Sequence, residues 1–539
     1  MLRTARSALF AMASVLSLDV ALAADEFFEV RVIDSETRRG IPMVELTTVD
    51  DVTYIADSAG RIAIDESTLE ASTVFFKVHS PGYETAKDGF GFAGARVVIA
   101  PGKSKIIELT RISIAERMYR VTGRDIYRDT VRLGHSSPLK NPLNSGLVVG
   151  QDSVQPVIYR GQLYWFWGDT NRLSYPLGLY RTAGAVSQLP SMGGLAPADG
   201  INFQYFADDT GFARAMTDVA NKEGVVWIHG VCTVVDADGK DRMVAQYSRR
   251  RGLSEPLEQG LLLWHDDRQI FEVLDVIDLH ESWRIVSDHP TRHSEDGREY
   301  LCFGNPFPVT RVPAILTALR DRAAYESWTC REELAGDNPT PEQLAASLPV
   351  RDSAGKLVWN WRKAPPVTQH DERRWVKQSL MAIDEAKYLP LDMSQDQNGK
   401  LGSDAHRRRS VEMHSGTVFF NSHRNRWVMI AIEQAWDKDS PSFLGEVFYS
   451  EADSPQGPYQ KAMKIATHPK QSFYNPCHHP FFDQNNGRTI YFEGTYCNTF
   501  TNSPATPRYN YNQLMYRLDL GDARIVEVFG GDAGKQSLK

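Results

Sequence analysis

The chain has little cysteine, and its cysteines do not pair off. Cys232, Cys302, Cys330, Cys477 and Cys497 are the only five in 539 residues, and no two stand in a C-x-x-C spacing. A cysteine zinc site is therefore not expected. An odd count leaves at least one thiol unpaired, and Cys302–Cys330 and Cys477–Cys497 are possible disulfides if the protein is exported. Basic blocks are equally scarce. Lys and Arg number 60 against 68 Asp and Glu, a net charge of −8, and His406-Arg407-Arg408-Arg409 is a short compact basic run. Nucleic acid is not an expected partner of such a chain. Long apolar runs are missing beyond the first residues, so no membrane partner is expected either.

The N-terminus has the marks of an export signal. Arg3 and Arg6 precede an apolar run over 8–18, and Ala21-Leu22-Ala23 is a small-residue cleavage site. The expectation is a signal peptide over 1–23 and a secreted or periplasmic protein beginning near Ala24. Hydrophobic residues make up 42% of the sequence, enough to bury a core, and aromatics make up 10%. Aromatics at this level suit β structure and also stacking on sugar rings.

The spacing of apolar residues predicts an all-β protein in two parts. Residues 24–112 read as a β-sandwich: Phe28 to Asp34 alternates with period two, and turns follow at 35–40 and 57–60. The order of Asp34 to Pro42, Asp57 to Gly60 and Gly82-Tyr83 resembles the carboxypeptidase-regulatory-like, transthyretin-like sandwich, which implies an accessory role without catalysis. Residues 113–146 read as a connector, with a helical texture over 115–134. Residues 147–530 contain five strand–turn–strand units, over 152–170, 224–247, 285–306, 414–433 and 475–496. Units that cannot bury a face alone suggest radial stacking, here a five-bladed β-propeller. The segment 305–410, helical in texture over 312–325, is expected to be an insertion over one face.

Propeller blades bring the starts of their inner strands together at one funnel. Asp152 opens the first unit and Asp169 closes its second strand. Two carboxylates at a funnel can hydrolyse a glycoside, one as proton donor and the other as nucleophile or base. Each can equally be turn chemistry. The run Gly150-Gln151-Asp152, then Gly161 to Tyr164, then Phe166-Trp167-Gly168-Asp169-Thr170 resembles the start of a bacterial propeller family that includes endo-D-arabinanases. That resemblance implies catalytic roles for Asp152 and Asp169. More distant five-bladed glycosidases add a Glu acid from a later blade, which points to Glu433, with Glu493 and Glu412 as further candidates. The segment 443–459 is similar to the outer strands of that same group.

His289, His414 and His479 stand at comparable blade positions and are candidates for holding sugar hydroxyls, as are Glu493, Arg172 and Trp167. Trp165, Trp264, Trp359 and Trp361 could stack on sugar or simply fill core. Arg407 to Arg409 could bind an acidic sugar or form a solvated loop. No cofactor and no metal-binding residue is expected, although a structural ion in the propeller channel is compatible with the pattern. The preferred reading is a secreted glycoside hydrolase with a carbohydrate substrate. The alternatives are a non-catalytic glycan- or protein-binding propeller and a polysaccharide lyase using a His and a Tyr.

Overall fold

The computed structural model describes residues 26–336, 338–394 and 409–530. The expected signal peptide over 1–23 and the basic residues His406, Arg407 and Arg408 lie outside the described residues. Among those described, no helix is long and apolar enough to cross a membrane.

The chain is built almost wholly of β-sheet. Two four-stranded sheets come first. One is ordered Arg61–Ile64, Phe28–Asp34, Ser104–Arg111, Tyr83–Glu84, and the other Thr53–Ile55, Glu45–Thr47, Thr73–His79, Gly94–Val98. Their facing alternate residues, among them Val30, Val32, Leu46, Phe76 and Ile107, form one buried core.

Six further sheets follow: five are blades, and a small three-stranded one joins Val148–Gln151, Thr170–Arg172 and Tyr175–Leu179. Blade one is built on Gln155–Tyr159 and Gln162–Trp167, and blade two on Val225–Val235 and Asp241–Arg251. Blade three begins with Thr291–Glu295, blade four with Met413–Asn421 and blade five with Ser472–His478. The hairpin turns follow the sequence signals. Arg160-Gly161 both take positive φ (49° and 77°), as do Asp296-Gly297 (50° and 74°), the geometry that lets a two-residue turn match strand twist.

The cores close the blades into a ring. Phe166 of blade one packs with Val226 and Trp264 of blade two. Val234 and Leu261 of blade two pack with Leu301 and Val312 of blade three. Val309 and Cys330 meet Met429 and Phe448 of blade four. Val428 and Ile430 meet Phe473 and Phe492 of blade five. Tyr491 and Met515 of blade five then meet Leu163 and Trp165 of blade one. Each blade thus buries both faces against its neighbours, which a single half-apolar sheet cannot do alone.

Three details differ from the sequence reading. The stretch read as helical connector contains the strand Glu116–Arg120, which pairs antiparallel with Asn512–Asp519 and completes blade five. A short helix, Arg128–Arg132, follows it. The strand won because Met118 and Tyr119 are drawn into the core between blades five and one. Second, the segment 305–410 is not wholly an insertion: Thr310–Pro313, Glu326–Thr329 and Asn360–Arg362 are the outer strands of blade three. Among its described residues the α-helices are Leu316–Arg320, Pro341–Ala346 and Gln369–Lys377, the last two started by capping boxes at Thr340 and Thr368. Third, all five cysteines are free and buried. Cys330 lies in the core of blades three and four, and Cys477 in that of blades five and one. Burial pushes the Cys232, Cys302 and Cys330 thiols up to about 12.

Candidate active site

The inner strands share a break at the same place. The register of the inner strand shifts between His229 and Cys232 in blade two, between Met413 and Gly416 in blade four and between Tyr474 and Cys477 in blade five. Four blades carry a left-handed residue there: Ser153 (φ 51°), Gly230 (63°), Asp288 (49°) and Asn475 (51°). A bulge of this kind re-aims the adjoining side chains, and such breaks concentrate at functional sites. The residues just before the left-handed ones are Asp152, His229, Ser287 and Tyr474.

Asp152 and Asp169 are brought together. The Asp152 backbone carbonyl accepts from the Gly168 N–H at 2.9 Å, and its Oδ1 accepts from the Asp169 N–H at 3.0 Å. Its other oxygen accepts from the Tyr474 hydroxyl at 2.8 Å, and the Tyr511 hydroxyl donates to the same carboxylate. Asp169 Oδ1 accepts from the indole Nε1–H of Trp227 at 3.0 Å. Blade one therefore supplies both carboxylates, blade five two hydroxyls and blade two an indole.

The two carboxyls sit in different environments. Burial raises Asp152 above the usual carboxylate range, while its donors from Tyr474, Tyr511 and the Asp169 backbone pull it down. Asp169 is raised to about 7, first by burial and then by the negative charge of Asp152, with only the Trp227 bond opposing. Both tyrosines are pushed upward, chiefly by burial, and so keep their protons and remain donors. The pair thus joins two raised carboxyls in unlike settings, Asp169 near 7 with a single donor and Asp152 with three donors opposing its burial, a difference of the kind acid–base chemistry uses.

Gly168 makes the approach feasible. A Cβ built there would stand 2.2 Å from Asp152 Oδ1. Gly168→Ala is expected to fold, because its φ is ordinary, yet to displace the Asp152 carboxylate and lower turnover by about 10²-fold, the scale of a misplacement of about 1 Å. Steady-state rates on a confirmed substrate check this.

The other sequence-named residues are placed differently. Glu433, expected as an acid, is buried, and both its oxygens are held by Arg409, which also pairs with Asp392 at 3.0 Å. That fixes it as an ion-pair partner. Arg409 itself is exposed and is paired with both Glu433 and Asp392. Trp167 is not open to ligand: it is 1% exposed and packs edge-on to Phe203. Trp165 and Trp264 are core as well. Arg172 is exposed and lies over the Phe212 ring, 5.4 Å from its centroid. Glu412 pairs with Arg373 at 2.9 Å.

His479 and Glu493 are both 0% exposed, with Nε2 and Oε1 2.9 Å apart. Fully buried as they are, neither is open to a ligand. His289 Nδ1 lies 3.6 Å from Cys477 Sγ in the same layer. Burial alone raises Glu493 to about 8 and, as its largest cause, lowers His479 to about 3, so both are neutral across the middle of the pH range. Between about pH 4.5 and 8 the folded chain holds a proton on Glu493 that the unfolded chain has released. Stability therefore falls as pH rises through that window. His479 works oppositely between about 3 and 6.5, where the unfolded chain binds the extra proton. Glu493→Gln is expected to flatten the alkaline loss and leave the acid limb, as read by denaturant midpoints across pH.

No group of three or more His, Cys, Asp or Glu among the described residues is arranged to hold a metal ion. Tyr474, Tyr511 and Trp227 were not found from the sequence. Tyr474 has one usable signal: it precedes Asn475 in the turn-like start of the fifth unit.

No family model matches the chain, and no curated protein does. Solved structures similar to it include a GH43_1 enzyme from Xanthomonas citri complexed with xylotriose, at 11% identity over 69% of this chain and 86% of that one, with a TM-score of 0.31. An exo-1,5-alpha-L-arabinanase from a bovine ruminal metagenomic library is 9% identical over 69% and 93%, with a TM-score of 0.32. The alpha-L-arabinanase of Cellvibrio cellulosa is 8% identical over 71% and 99%, with a TM-score of 0.32. At such scores the architecture rests on this chain's own sheets and cores.

Proposed function

We propose that the protein is a glycoside hydrolase acting on a poly- or oligosaccharide through Asp152 and Asp169. The observation that carries this reading is the pair itself: Asp169 raised to about 7 by burial and then by its neighbour's charge, and Asp152 raised by burial but opposed by three donors that favour its anion. In the reaction Asp169 gives its proton to the glycosidic oxygen as the bond to the anomeric carbon breaks. Asp152 either bonds to that carbon or takes a proton from the water that does so. Water is consumed in either case. Tyr474 and Tyr511 hold Asp152 in place, and Trp227 holds Asp169.

The leader at Arg3 to Ala23 supports a secreted or periplasmic setting, where polymeric sugar is accessible. Sequencing the mature N-terminus tests that point. The activity is tested by incubating the purified chain with a panel of arabinans, xylans, galactans, glucans, mannans and uronic-acid polymers. Release of new reducing ends supports hydrolysis. A product absorbing in the ultraviolet supports a lyase instead, and binding without product supports a non-catalytic propeller.

A further inference from the structure

A turn built on an aspartate needs only its own local bonds. The sandwich turn Asp57-Ser58-Ala59-Gly60 has more. Asp57 Oδ1 accepts from the Ala59 and Arg61 N–H groups at 2.9 and 3.2 Å. Its Oδ2 accepts from the Thr130 N–H at 2.7 Å, and the Ser58 N–H donates to the Ile126 carbonyl at 3.0 Å. The turn is therefore fastened to the segment 126–130, which follows the strand that completes blade five.

Two residues of this stretch carry the contacts on into the propeller. The Ala56 carbonyl accepts from the Tyr509 hydroxyl at 2.7 Å, and Ser58 Oγ accepts from the Arg120 N–H at 3.1 Å. The Arg120 guanidinium in turn donates to the Arg508 carbonyl and lies 5.2 Å from the centre of the Tyr509 ring. Ala56, Ser58, Arg120 and Tyr509 are all buried.

The segment held in this way is strained, and it ends at the aspartate pair. Arg508 (φ 65°) and Tyr511 (φ 60°) are left-handed, which is unfavourable for bulky side chains. Such backbone persists where its surroundings over-determine it. The Tyr511 hydroxyl donates to Asp152. A Cβ built at Gly150, two residues before Asp152, would stand 2.3 Å from the Tyr511 carbonyl oxygen, so the segment is seated directly on the strand that leads to Asp152. The propeller's own bonds to the segment fall on either side of Tyr509. They run from the Asn498 N–H to Asn510 Oδ1 at 2.8 Å, and from Asn512 Nδ2 to the Arg508 carbonyl at 3.4 Å. The Tyr509 hydroxyl is answered by the sandwich.

We propose that the sandwich is part of the aspartate site: its residues 56–58, acting through Arg120 and Tyr509, fix residues 508–511 and so place the Tyr511 hydroxyl on Asp152. Tyr509 is then a positioning residue, and the sandwich is more than an accessory. The consequence for catalysis rests on the hydrolase reading, but the link itself does not.

The full chain is labelled with carbon-13 at its aspartate carboxyls and titrated by NMR, the Asp152 signal being the one that Asp152→Asn lacks. Asp152 faces Asp169 in blade one and Tyr474, Tyr511 and Cys497 in blade five, and these neighbours stay in place in Tyr509→Phe. Tyr511→Phe removes a donor to the anion and is expected to raise the Asp152 midpoint by about half a pH unit or more. Tyr509→Phe, which touches no atom of Asp152, is expected to raise it too. The double variant is expected to titrate as Tyr511→Phe does, because residues that act through one another are not additive. Thermal melts establish folding, and Ser58→Ala takes the place of Tyr509→Phe if that variant does not fold.

An Asp152 midpoint unmoved by Tyr509→Phe, or by Tyr511→Phe, overturns the proposal. So does a Tyr509→Phe shift of the same size with and without the Tyr511 hydroxyl. The expected pattern in a chain that turns over no glycan upholds the link from the sandwich to Asp152 and overturns only the hydrolase reading.

Discussion

Asp152→Asn and Asp169→Asn each lower turnover by about 10²–10⁴-fold while the fold remains, because the side chain keeps its shape and loses its proton chemistry. The two variants differ in their pH profiles. The unmodified enzyme loses activity above about pH 7, as Asp169 gives up the proton it must donate. It loses activity in acid as Asp152, raised from the ordinary carboxylate range, becomes protonated. The bell belongs to the pair, since each charge shifts the other's titration. Asp169→Asn removes the alkaline limb and spares reactions whose leaving group needs no proton, such as an activated aryl glycoside. Asp152→Asn is not rescued by such a leaving group. Equal activity of either variant and the parent on a confirmed substrate sinks the assignment. Tyr474→Phe is the milder companion: it removes one donor from Asp152, and its acid limb moves to higher pH.

The architecture was legible because its signals are local. Alternation in Val225–Val235 and a Gly or Asn at each hairpin are properties of neighbouring residues, and five such units imply a ring. The strand Glu116–Arg120 was not legible, because its partner Asn512–Asp519 lies almost four hundred positions away. Its pattern, buried at every position, carries no period to read. The aspartates were legible through the strand that joins them. Their partners were not: Tyr474 and Tyr511 come from the far end of the chain, and Trp227 from the next blade. Glu433 and Trp167 were named as candidates for a related reason. A carboxylate at a strand end and an indole in an aromatic strand look alike whether they face a funnel or an arginine and a core. Only the third dimension separates them, here through Arg409 and Phe203.

The sandwich and the propeller are held by a buried arginine, and removing it has a large expected cost. Arg117 lies on the strand that completes blade five, yet its side chain reaches into the sandwich and is 1% exposed. Its Nε donates to the Pro42 carbonyl at 3.1 Å, one terminal nitrogen to the Pro81 carbonyl at 3.0 Å and the other to Ser80 Oγ at 2.5 Å. Met43 and Ile55 of the sandwich share the core of blades four and five beside it. Tyr509 adds a hydroxyl bond to the Ala56 carbonyl at 2.7 Å. Arg117→Met keeps an unbranched apolar stem, though a shorter one, and strands two carbonyls and a hydroxyl without donors. The expected loss is about 2–5 kcal/mol, from the price of unsatisfied buried acceptors. Denaturant unfolding followed by tryptophan fluorescence measures it, since all eleven tryptophans lie in the propeller part of the sequence. A drop in the tryptophan-detected midpoint shows that the sandwich braces blade five. An unchanged midpoint, with only the sandwich lost to proteolysis, shows instead that the propeller is stable without it and that residues 26–112 are an appendage.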